Sequence, residues 1–123
     1  MIIELLAAIA LSQTPARPPC EGFYSYVPEN IEREVAFSVE VTENRFVEVL
    51  FTDYGNMIAR AQPTPMGVNF SESGGMWRLT CADDGAQLVI PADEWSPERT
   101  FALRKTTGNI WSVARERGWN IGD

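Results

Sequence analysis

The chain has 123 residues, 45% hydrophobic and 11% aromatic, with 10 Lys+Arg against 17 Asp+Glu. That suits one domain with a core and is too apolar for a disordered chain, while a net charge of −7 argues against a nucleic-acid binder, whose affinity rests on basic contacts to phosphate. With no His, the chain lacks the commonest general base and metal ligand, and its two Cys are too few for a four-Cys zinc site.

Residues 1–12, MIIELLAAIALS, form an apolar stretch broken only by Glu4. It is much shorter than the roughly 20 residues that span a bilayer. An apolar run ending in small residues has the form of a secretory signal peptide, reaching residue 16 at most. Ala8-Ile9-Ala10 and Ala10-Leu11-Ser12 offer the small-x-small cleavage pattern. The absence of Lys or Arg from this stretch and the presence of Glu4 suit the alternative, a short buried helix. A Pro-rich segment, 13–22, follows and contains Cys20. Cys20 and Cys81 are the only cysteines, and in an oxidising, secreted or bacterial periplasmic setting they are expected to pair.

From Phe23 the apolar period is two. Val35 to Thr42 alternates cleanly, with Val35, Phe37, Val39 and Val41 on one face. Glu43-Asn44-Arg45 turns the chain into Phe46 to Asp53, and Tyr54-Gly55-Asn56 turns it into Met57 to Gln62. Pro63 and Pro65 mark a corner or an edge, after which Met66, Val68 and Phe70 alternate. Ser71 to Gly75 is a loop, and Met76 to Cys81 places Trp77, Leu79 and Cys81 together. Asp83-Asp84-Gly85 signals a hairpin into Ala86 to Ile90. Pro91 to Pro97 is the longest break, and Ser96-Pro97-Glu98 has the composition to cap one helical turn. Phe101 to Lys105 and Ile110 to Arg115 then read as a last hairpin, before a tail at 118–123. After the leader, no helical pattern longer than two turns is read except at Pro28 to Glu34.

The resulting expectation is an all-β domain over 23–117, an antiparallel meander of about seven to nine strands. Connections this short exclude parallel crossovers. A closed up-and-down barrel removes exposed edges and is preferred to a two-sheet sandwich. In shape alone, the meander resembles the lipocalin type. Closure would bring the acidic first strand pair (Glu29 to Glu48) beside the basic last pair (Arg99 to Arg117) on the outer surface.

Catalytic patterns are missing: there is no Gly-x-Ser-x-Gly elbow, Walker loop or Gly-x-Gly-x-x-Gly. A Ser–Lys dyad would need Lys105, the one lysine, at a strand position that reads as exposed. Asp83/Asp84 and Asp93/Glu94 read as solvating turn residues rather than acid–base couples, and the first pair fails the calcium-loop template. A non-catalytic protein without cofactor or metal is the expectation, and binding is the role left. Trp95 and Glu94 in the long break, Tyr54 at a turn, and Tyr24 with Tyr26 on one face are the candidates. Trp95 suits either a contact residue or a plug of the barrel mouth. Trp77 and Trp111 read as core, and Phe37, Phe51, Phe70 and Phe101 are bulky enough, with them, to fill the barrel. Three roles follow: an exported protein-binding domain of inhibitor or envelope-accessory type, a small carrier of an apolar ligand, and a carbohydrate-binding module using Trp95 and Tyr54. None of them needs nucleic acid or a membrane span in the mature chain.

Overall fold

The computed structural model describes residues 20–43, 45–53, 55–72 and 75–119. The leader at 1–12, most of the Pro-rich segment, Tyr54 and the end of the tail lie outside these residues. Period-two alternation emerges as nine strands: β1 (Gly22–Tyr26), β2 (Phe37–Thr42), β3 (Phe46–Phe51), β4 (Gly55–Arg60), β5 (Gln62–Thr64), β6 (Gly67–Glu72), β7 (Gly75–Cys81), β8 (Gly85–Ile90) and β9 (Arg99–Thr106). They form one antiparallel meander sheet in the order β4-β3-β2-β1-β9-β8-β7-β6-β5. The first and last strands pair with each other, Tyr24 standing opposite Lys105. Only Ala61 separates β4 from β5, and its N–H donates to the Arg45 carbonyl at 2.7 Å. The chain therefore pairs with β3 before this kink and with β6 after it. Since β4 also approaches β6, the barrel is nearly closed. Pro63 lies on β5, at the sheet's edge, where its missing N–H costs no ladder bond.

Alternate residues face inward and make the core. Val39, Val41, Val47, Val49, Val68, Leu79 and Leu88 are buried there around Tyr24 and Phe70. The predicted disulfide is present: Cys20 and Cys81 are joined, with Cα atoms 5.5 Å apart. It ties the start of the domain to the last residue of β7, and so closes one end of the barrel.

One expected strand is a helix. Ile110 to Arg115 belongs to α1 (Ile110–Arg117), which packs on the outside of the barrel. Asn109 caps it, its Oδ1 accepting from Trp111 N at 3.0 Å and Ser112 N at 3.1 Å. Gly118, at φ 70, ends it in the left-handed conformation that favours glycine. The inward residues Ile110, Val113 and Ala114 recur at helical spacing, which outweighs the weak alternation. Trp111 is half-buried against this outer cluster and takes no part in filling the barrel.

The wall beneath α1 is polar where the helix begins. Ser38 Oγ accepts from Ile110 N at 2.9 Å, satisfying a first-turn donor that has no partner within the helix. Thr106 donates to the Gly108 carbonyl at 2.9 Å, so at the 2.9 Å contact between hydroxyls Ser25 donates to Thr106. Buried Ser25 and Ser38 are thus both satisfied.

Two other expectations change. Pro28 to Glu34 is a single turn, with the Asn30 carbonyl accepting from Arg33 and Glu34 N–H at 3.1 Å each. The acidic and basic regions do not face each other, because β1 lies between β2 and β9. Glu40 stands opposite Phe23, and Arg104 opposite Ser25.

Candidate functional site

The inner face carries its large rings near strand ends. Tyr26 ends β1, Phe37 begins β2, Phe51 ends β3, and Phe101 lies near the start of β9. In an antiparallel barrel these ends all lie at one mouth, opposite the disulfide. Tyr26 and Phe101 meet edge-on with centroids 5.0 Å apart, Phe37 and Phe101 likewise at 5.3 Å, and Phe37 and Phe51 are tilted at 5.7 Å. Such geometry suits the ring quadrupoles and fixes the rings as one surface. Trp77, half-buried and 5.7 Å from Phe70, extends it across the seam.

This surface lines a cup of about 470 Å³ at the mouth, completed by Val35, Met57 and Ile90. Its volume falls within the roughly 300–1,000 Å³ of small-molecule sites. The bulky inward residues were expected to fill the barrel. They fill the middle, but at this mouth they line a space instead. A contiguous hollow of about 270 Å³ shares Glu72, Trp77, Ile90 and Arg99, and extends toward Pro91, Ala92 and Asp93. Another, of about 460 Å³, lies by the kink and is lined by Phe46, Arg60 and Pro63. There the Arg60 guanidinium lies 5.9 Å from the centre of the Phe46 ring. Phe46 and Arg60 stand opposite each other on the outer face of the sheet, so this hollow is not part of the barrel interior.

Polar groups at the cup are few: Tyr26, Glu34, Glu72 and Arg99. Tyr26 donates to Glu34 Oε1 at 2.5 Å, pinning the β1–β2 connection over the mouth. That hydrogen bond, then burial, then the Glu34 charge push the Tyr26 phenol up to about 12 from 10.0. Because the folded value lies above the unfolded one, its stabilising contribution is complete below pH 10 and is lost as pH rises through about 12. Absorbance at 295 nm should show Tyr26 ionising near pH 12, with Glu34→Gln bringing it back toward 10. An unchanged titration in Glu34→Gln would contradict the assigned cause.

The chain matches no protein-family model, no curated protein and no solved structure. The site is therefore defined by its own geometry.

Of the candidate residues that the structure describes, Tyr26 alone lines the cup. Tyr24 is one step deeper on the same face and fully buried, with Lys105 Nζ 5.9 Å from its ring centre. Its hydroxyl has no hydrogen-bond partner among the described residues, and burial raises its pKa. Tyr24→Phe removes an unsatisfied group and should leave stability unchanged or raise it by up to about 1 kcal/mol. Denaturant unfolding measures this, and a clear loss of stability would point to a partner for the hydroxyl.

Trp95 is 86% exposed and does not plug the mouth; Glu94 beside it is exposed too. Their loop is ordered by Asp93, whose Oδ1 accepts from Trp95 N at 2.8 Å and from Ser96 N at 2.7 Å. These two backbone bonds hold the Asp93 carboxyl below its ordinary value, with help from the Arg99 charge. The Ser96-Pro97-Glu98 helical turn does not form, because Asp93 takes the capping role three residues earlier and closes a turn. Glu98 instead reaches Arg78 at 3.8 Å, an exposed pair of small energetic consequence.

Glu34, Glu72, Met57 and Arg99 were not foreseen as site residues. Glu34 sits in a connection without apolar period. Arg99 has a usable signal, being two residues before Phe101 and so on the same inward face.

Proposed function

We propose that this is a non-catalytic binding protein whose barrel mouth takes a small, largely apolar ligand. The observation that carries this is the aromatic cup of about 470 Å³, with few polar groups at its edge. A nearly closed barrel of this strand number is just wide enough to hold one small ligand. The disulfide is compatible with an exported, oxidising location, and no described helix is long and apolar enough to cross a membrane. Export, by secretion or into a periplasm, is part of the proposal.

The test is titration of the full chain with N-phenyl-1-naphthylamine, a neutral apolar fluorophore. The expected result is saturable binding of one probe per chain, with energy transfer from Trp77. Met57→Trp fills the cup and should abolish binding while the protein stays folded. Lack of saturable binding, or binding untouched by Met57→Trp, would overturn the proposal.

A second reading, docking of a protein partner of inhibitor or envelope-accessory type, is favoured by one observation. Trp95 stands 86% exposed on a turn ordered by two hydrogen bonds, as a preorganised contact residue would. Trp95→Ala should then weaken capture of one specific partner without moving the thermal midpoint. The glycan reading shares Trp95, but Tyr54, its other residue, lies outside the described residues.

A further inference from the structure

We infer that the ligand of the cup is an organic cation, an apolar body bearing an ammonium or quaternary nitrogen head. This rests on the proposed role of the cup as a ligand site and specifies the chemistry it selects.

Two independent features of the cup converge on positive charge. The first is the wall. Tyr26, Phe37, Phe51, Trp77 and Phe101 line one space. An aromatic face carries negative quadrupolar potential, so clustered rings attract a cation that has been stripped of water. The second is the charge around the mouth. Glu34 and Glu72 line the cup against a single Arg99. Arg99 is further compensated by Asp93, which shares the adjoining hollow and feels its charge. The local balance is therefore negative, in a chain whose own net charge is −7.

Glu34 is the residue best placed to meet the head group. The Tyr26 hydroxyl takes only Oε1, and in doing so holds the carboxylate at the edge of the rings. An ammonium seated there would meet the carboxylate beside the ring cluster, while the apolar body lies against the rest of the lining, Met57 and Ile90 included. A carboxylate ligand in the same place would face Glu34 and Glu72 and gain only Arg99.

The experiment uses three ligands with one apolar body: 4-phenylbutyl-trimethylammonium, 4-phenylbutan-1-ol and 4-phenylbutanoate. Each competes with N-phenyl-1-naphthylamine on the full chain, and direct calorimetry is run in parallel. The expected order is cation, alcohol, carboxylate, with the cation ahead of the carboxylate by about tenfold or more. Glu34→Gln should shrink the cation's advantage over the alcohol and over the carboxylate, and Glu116→Gln on α1, away from the cup, should alter none of the three affinities. Higher salt should also narrow the gap. Equal potencies, or a preference for the carboxylate, would overturn the cation assignment while leaving the cup as a ligand site. Failure of all three ligands and the probe to bind would overturn both.

Discussion

Replacing Cys20 and Cys81 together with Ala should lower the free energy of unfolding by about 4 kcal/mol. The bridge spans a sequence separation of 61, which encloses most of the meander, from before β1 to the end of β7. Removing it frees the unfolded chain to explore conformations that the closed loop forbids. For a domain whose total stability is about 5–15 kcal/mol, that loss is a large fraction. Urea unfolding at equilibrium measures it, and reduction of the native protein should reproduce it. Because the bridge lies at the end opposite the cup, the double variant should keep its affinity for an apolar probe wherever it is still folded. Stability within 1 kcal/mol of the native protein would show that the bridge constrains little.

The second large effect is expected at Gly67, the first residue of β6. A Cβ there would lie 1.8 Å from the Leu79 carbonyl oxygen and 2.8 Å from its carbon. Both are backbone atoms of β7 and cannot swing aside as a flexible side chain would. Gly67→Ala must therefore part β6 from β7, at a cost of about 3 kcal/mol. The damage should extend to the Cys81 N–H, which donates to the Met66 carbonyl at 2.9 Å. Amide exchange across β6 and β7 would localise the effect, and a native-like melting temperature would contradict it.

Much of the barrel was legible in the sequence because period two assigns faces independently of tertiary context. Val39, Val41, Val47 and Val49 follow the pattern and are all buried. The bridge was legible from the even cysteine count. What alternation does not encode is height along the barrel axis. Phe37, Phe51 and Phe70 look alike as inward residues, yet the first two line the cup, whereas Phe70, which stands opposite Trp77, is buried against that ring and outside the lining. The helix at Ile110 was missed for a different reason. Eight residues give each period few repeats, and the cap residues Asn109 and Gly118 were the better signal. Tyr26 could be named as a binding residue from its face, but its partner Glu34 lies in a connection whose path only the fold determines.

On the proposed function, the barrel mouth rather than an exposed apolar surface takes the ligand. Methyl NMR on the full chain titrated with N-phenyl-1-naphthylamine tests this most directly. Met57 and Ile90 line the cup, whereas Met66 and Met76 are exposed outside it at 64% and 40%. Saturable shifts of the Met57 and Ile90 methyls are expected at one probe per chain, with those of Met66 and Met76 unmoved. Shifts confined to Met66 and Met76, or none at Met57 and Ile90, would contradict it.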